Sequence, residues 1–135
     1  MVGILIIAHA SYGEALVKSA SHVVGHPLVR VMHLGMSVRE DPDQVLGTAA
    51  EMVRQLDQGD GVLVLTDIVG GTPSNIATLL AVPGKVETIA GVNLPMLVRT
   101  LTYRDQPLAV VVQKAISGGQ EGVLHLVPEA HDAQR

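Results

Sequence analysis

Met1-Val2-Gly3-Ile4-Leu5-Ile6-Ile7-Ala8-His9-Ala10-Ser11-Tyr12-Gly13 opens the chain, and its reading decides the fold. Residues 2–8 form an apolar run rich in branched side chains, with no polar alternation, which suits a strand covered on both faces. The run stops at a histidine followed by small and polar residues. It is too short to cross a bilayer and carries no preceding basic segment, so it reads as a buried strand and not as a leader or a membrane span.

Working outward, three similar apolar runs recur at residues 28–34, 61–66 and 85–90, each followed by a glycine-containing or polar loop and then a helix-like spacing. That alternation marks βα units and a parallel sheet. Residues 14–24 carry Leu16, Val17, Ala20, Val23 and Val24 at near-helical spacing and end at Gly25, a C-cap residue. Asp41-Pro42 supplies an N-cap and a proline at the first helical position, and Val45, Leu46, Ala49, Met52, Val53 and Leu56 form an apolar stripe ahead of Gly59. Thr72-Pro73 starts a third helix running to about Ala81, Leu94-Pro95 a fourth, and Gln106-Pro107 precedes a fifth apolar segment over residues 108–116. Gly118-Gly119 is expected to break the pattern. Residues 122–127 then read as a final strand, before a polar tail over residues 128–135. The expected architecture is α/β, one doubly wound domain over residues 1–127.

Composition narrows the function. At 135 residues the chain has the length of one domain and buries a core without staples. It has no cysteine, which removes disulfides, thiolate metal sites and thiol nucleophiles and fits a reducing cytoplasm. Nine basic against 13 acidic residues give a formal charge of −4, so nucleic acid is an unfavoured partner. Phe and Trp are absent, and Tyr12 and Tyr103 are the only rings besides histidine, which nearly removes stacking on bases or sugars.

In open α/β sheets ligands sit beyond the carboxyl ends of the strands. Those four places here hold His9-Ala10-Ser11-Tyr12, Gly35-Met36-Ser37, Thr66-Asp67-Ile68-Val69-Gly70-Gly71-Thr72-Pro73-Ser74-Asn75 and Gly91-Val92-Asn93-Leu94-Pro95. If the first and third strands pair, His9 and Asp67 are neighbours. A carboxylate on one ring nitrogen fixes the imidazole tautomer and leaves the other nitrogen as a nucleophile. Gly70 and Gly71 let backbone amides approach an anion, Thr72 offers a hydroxyl, and the helix beginning at Pro73 presents its positive end. These are the fixed donors that phosphoryl transfer needs. No Gly-Lys-Ser/Thr phosphate loop is present, and Lys18, Lys85 and Lys114 fall outside these loops, which disfavours a nucleotide triphosphatase.

Each feature alone has a plainer reading. His9 could be an ordinary loop residue, Asp67 a turn residue, Thr72-Pro73 a helix cap and residues 91–95 a routine loop. Their meeting at one sheet edge is what singles them out. His22 and His26, four apart, lie astride Gly25 and Pro27 and do not read as a metal pair. His33, His125 and His131 read as structural or solvent residues, and no metal or cofactor is called for.

The opening strand ending in His9, the segment Thr66 to Asn75, and Ile89-Ala90-Gly91-Val92-Asn93-Leu94-Pro95-Met96-Leu97 together resemble the IIA component of the mannose-type sugar phosphotransferase system, over residues 1–127. The resemblance implies a cytoplasmic phosphocarrier that takes phosphate from phospho-HPr onto His9 and passes it to a IIB partner, here expected on a separate chain, or that serves as a regulator. It implies Asp67 as the orienting carboxylate, and Thr72, Gly70 and Gly71 as the phosphate cradle. Ser11, Met36, Thr66, Pro73, Asn75, Asn93 and Pro95 would be supporting loop residues. It implies a mostly parallel sheet whose antiparallel edge strand, residues 122–127, is exchanged within a homodimer, and no direct membrane insertion. Two departures stand out: Ala10-Ser11 where the family often has glycine after the histidine, and Ile68-Val69 where an aromatic residue often follows the aspartate. Met36, Ile68 and Val69 would then supply the apolar docking contact. Two alternatives share the site: a phosphocarrier for a dihydroxyacetone kinase, and a non-catalytic module that senses an anion, into whose site Arg39 and Arg99 could reach although residues 66–75 carry no lysine or arginine.

Overall fold

The computed structural model describes residues 1–128; the rest of the polar tail, with His131, lies outside the described residues. Four strands and five helices follow in the order β1 (Gly3–His9), α1 (Tyr12–Val24), β2 (Val31–Met36), α2 (Pro42–Leu56), β3 (Val62–Thr66), α3 (Thr72–Leu80), β4 (Val86–Ala90), α4 (Leu94–Tyr103) and α5 (Leu108–Glu121). All pairings are parallel and the strand order is β2-β1-β3-β4. The order reverses between β1 and β3, which creates a crevice beyond the tips of those two strands.

The opening run explains the layering. Ile4, Ile6 and Ala8 point to one face, where they meet Leu16 and Ala20 of α1, Met96 and Leu97 of α4, and Val111 and Ala115 of α5. Leu5 and Ile7 point to the other, against Val45 and Ala49 of α2 and Ile76 and Ala77 of α3. With both faces of β1 fully buried, polar alternation has no place in it.

Helix ends fall where the local chemistry puts them. Gly25 closes α1 in the left-handed conformation at φ 84°, its amide donating to Ser21 O, so His26 lies off the helix. Asp41 caps α2 by accepting from the Asp43 amide at 3.0 Å, with Pro42 in the first turn.

One expectation fails at the C-terminal end. Gly118-Gly119 does not break the chain: α5 runs through both to Glu121. The pair serves close helix approach instead, since a Cβ at Gly118 would stand 2.5 Å from Arg99 Cβ, and one at Gly119 would stand 2.8 Å from Met96 Cε. Residues 122–127, expected as an edge strand exchanged within a dimer, form no strand within their own chain. The carbonyls of the last helical turn still accept from the Gly122 and Val123 amides. Val123, Leu124 and Leu126 are left exposed, and the sheet described is wholly parallel.

Candidate active site

The crevice between the tips of β1 and β3 is where the two expected groups meet. His9, the last residue of β1, presents its ring Nδ1 to Asp67 Oδ2 at 2.9 Å, and the same oxygen accepts from the His9 backbone amide at 2.9 Å. Asp67 Oδ1 accepts from the Ile68 amide at 3.0 Å. The Asp67 side chain is 15% exposed against 51% for His9, so the carboxylate is the sheltered partner and the ring the accessible one. Burial pushes the Asp67 carboxyl up, but the hydrogen bonds from the His9 amide and ring, the His9 charge and the Ile68 amide outweigh it and hold the group below its ordinary value. An ionised carboxylate only accepts. Nδ1 therefore carries the proton, which in the neutral ring leaves the lone pair on Nε2. Among the described residues Nε2 has no hydrogen-bond partner.

What Nε2 faces is the start of α3. A Cβ on Gly71 would lie 2.9 Å from His9 Cε1 and 3.4 Å from Nε2, so a side chain here would displace the ring from the start of α3. Gly71 occupies the N-cap position with no side-chain cap, which leaves first-turn amides open to an incoming anion. Thr72 and Pro73 line a cleft of about 420 Å³ with His9, Ala10, Met36, Ser37 and Glu40. Met36 also fixes the other flank: its carbonyl accepts from the Ala10 amide at 2.8 Å, with Ala10 itself left-handed at φ 49°.

The remaining expected residues separate into neighbours and bystanders. The Gly70 amide is already used, donating to Ser74 Oγ at 3.0 Å, while that hydroxyl donates to Gly71 O at 2.9 Å. Ser74 thus braces the loop, a role the sequence reading did not single out. Asn75 is exposed, and its amide donates to Gly71 O. Ser11 is the N-cap of α1 but makes no side-chain cap bond. Thr66 is buried, with its hydroxyl unpartnered among the described residues and its carbonyl taking the Gly91 and Val92 amides, each at 2.9 Å. Asn93 and Pro95 stand apart from the cleft. Asn93 caps α4 by accepting from the Met96 amide at 2.9 Å and donates to Gly119 O at 3.1 Å, while Pro95 packs on α5 at Gly122. Arg99 does not reach the cleft either, because it pairs with Glu121 at 3.0 Å. Ile68 and Val69 are exposed on the rim, as is Val38, which the sequence reading passed over. No group of three or more metal-type ligands occurs among the described residues, and no helix there is long and apolar enough to cross a membrane.

Fold and site together define a doubly wound α/β domain carrying a strand-end histidine, oriented by an aspartate and set against an open helix N-terminus. A family model described as the PTS system fructose IIA component, EIIA-man, matches residues 3–116, and the chain belongs to that family. The mannose-specific EIIAB component of the phosphotransferase system from Escherichia coli K12 is 34% identical over 125 residues. That match takes in 90% of this chain but 38% of the relative, so the chain spans well under half of that protein's length. The fructose-specific EIIA component of Bacillus subtilis is 27% identical over 106 residues, 78% of this chain and 72% of that protein. The crystal structure of the phosphotransferase system component EIIA from Streptococcus agalactiae superposes with a TM-score of 0.82 at 26% identity, covering 93% of this chain and 97% of that one. The matched residues make up a IIA domain of the mannose/fructose type, a family whose general role is phosphotransfer.

Proposed function

We propose that this chain is a cytoplasmic phosphohistidine carrier, taking the phosphoryl group of phospho-HPr onto His9 Nε2 and delivering it to a IIB partner or acting through its phosphorylation state as a regulator. One observation carries the reading: Nδ1 is held on Asp67 while the free Nε2 faces the uncapped start of α3 at Gly71. In the transfer, the Nε2 lone pair forms a bond to phosphorus as the donor's P–N bond breaks, and the donor imidazole leaves with the electron pair. With the proton kept on Nδ1, phospho-His9 is formally cationic, and the Asp67 carboxylate lies against that charge. Thr72 and the open amides near Gly71 hold the phosphoryl oxygens, where fixed donors act without reorganisation.

The exposed residues 123–126 and the outer edge of β4, which beyond the Val82–Val86 bridge pairs with no strand among the described residues, support a homodimer in which each chain supplies an edge strand to its partner. A dimer in sedimentation that reverts to monomer on truncation after Gly122 is the expected result.

The central test is intact mass after incubation with phosphoenolpyruvate, enzyme I and HPr. Uptake of one acid-labile phosphate, absent in His9→Ala, is expected. A protein that stays unmodified while HPr becomes phosphorylated would overturn the carrier in favour of an anion-binding sensor. Capture of a IIB protein or of dihydroxyacetone kinase subunits by the phosphorylated form identifies the acceptor.

A further inference from the structure

Tyr12 stands three residues past His9, at the first position of α1. Its hydroxyl donates to the Val92 carbonyl at 2.6 Å, across 80 residues of sequence. Val92 is itself buried, and its amide, together with that of Gly91, donates to Thr66 O at 2.9 Å. Gly91 is left-handed at φ 92°, the conformation that turns both amides onto one carbonyl. Thr66 directly precedes Asp67, whose Oδ2 returns to His9. The contacts therefore close a circuit: His9, the first turn of α1, the β4–α4 corner, the end of β3, Asp67 and His9 again.

We propose that Tyr12 is a positioning residue for phosphoryl transfer, locking the β4–α4 corner to α1 and thereby holding Asp67 against His9 Nδ1. The proposal rests on the carrier reading for its kinetic consequence and on geometry alone for its structural one. The Thr66 carbonyl is clamped from one side by Gly91 and Val92, and that clamp is tied through the Tyr12 hydroxyl to the start of α1, which follows directly on β1. Without the hydroxyl the Val92 carbonyl loses its donor, and the corner gains freedom to slide relative to β1. Small displacements of a positioned group cost transfer rate steeply, about 100-fold for roughly 1 Å. Burial, and then the Asp67 charge, push the Tyr12 hydroxyl above its ordinary value, so it stays a donor throughout the neutral range.

Tyr12→Phe removes the hydroxyl and keeps the ring. The expected result is a thermal midpoint within about 5 °C of wild type, a kcat for phosphoryl uptake from phospho-HPr lowered about tenfold, and a KM within about twofold, a split that separates positioning from docking. In the unphosphorylated protein, 15N spectra of the His9 ring are expected to show a single Nδ1-protonated neutral form in wild type and its loss in the variant. Gly91→Ala, which disturbs the same corner from its other end, is expected to produce the same spectral change. A wild-type kcat with an unchanged His9 spectrum would overturn the proposal, as would a rise in KM alone. Should wild type accept no phosphate, the carrier reading falls, while the spectra of the two unphosphorylated proteins still decide the role of Tyr12.

Discussion

The two ends of the sheet solve opposite problems with the same materials. At the carboxyl end, His9 gives one ring nitrogen to Asp67 and leaves the other open to solvent. At the amino end, Arg104, only 6% exposed, is deeply engaged: Nε and Nη2 donate to Val2 O at 3.1 and 2.9 Å, Nη1 to Val29 O at 2.7 Å, and Nη2 also to Arg30 O at 2.8 Å. Arg104 reaches those carbonyls from the end of α4 and ties the start of β1 to the approach to β2. Burial, and then the charge of Arg30, push its guanidinium down to about 10, which still leaves it charged near neutrality. One end uses polar groups to hold the chain together, and the other keeps one group idle for chemistry.

Separating those roles by mutation is the sharpest way to break the comparison. Arg104→Met removes the donors to three backbone carbonyls and is expected to cost about 3 kcal/mol, lowering the thermal midpoint by about 10 °C. Phosphoryl uptake by the folded fraction should stay within about twofold of wild type. Lost uptake at unchanged stability would mean that the two ends are coupled.

The mirror-image experiment is Asp67→Asn. An amide no longer dictates the Nδ1-protonated tautomer, so uptake should fall about 100-fold while the fold persists. The carboxyl is held below 3.8 in the folded protein, so its stabilisation is present above that pH and disappears as pH falls through the folded value. Thermal midpoints of wild type and Asp67→Asn should therefore diverge near neutrality and converge in acid. A gap that stays constant from pH 7 into acid would show that the carboxylate's charge is not what matters.

The difference between the ends also explains what the sequence discloses. β1 and β3 are legible because parallel strands buried on both faces need continuous apolar runs, while the partly exposed edge strands β2 and β4 show through branched residues and the loops that follow them. His9 and Asp67 are legible because each directly follows such a run, and the pairing of β1 with β3 then makes them neighbours. Arg104 is not legible: it is one charged residue after an amphipathic helix, and its acceptors lie up to 102 residues away. Tyr12 and Ser74 are hidden for the same reason, since a hydroxyl's partner depends on loop geometry that spacing does not encode. Gly118-Gly119 misleads because helix propensity counts the backbone cost of glycine but not the helix approach that glycine permits. Asn93 and Pro95 belong to a motif that marks the site, yet they act by capping α4 and seating α5.

The smallest expected effect concerns the residue that directly follows His9. Ala10 holds a left-handed backbone at φ 49°, a conformation costing an alanine about 1–2 kcal/mol, and its amide is committed to Met36 O. Glycine would remove that strain but restore about 0.5–1 kcal/mol of unfolded-state freedom. The balance for Ala10→Gly is a gain of about 0.5 kcal/mol, read as a rise of about 2 °C in thermal midpoint. Uptake should remain within about twofold, because the Ala10 amide bond and the Asp67 contacts that aim His9 are backbone and carboxylate bonds that the substitution retains. A fall in midpoint would show that the methyl group packs usefully in the His9 cleft, making the carboxyl end of the sheet structural as well as chemical.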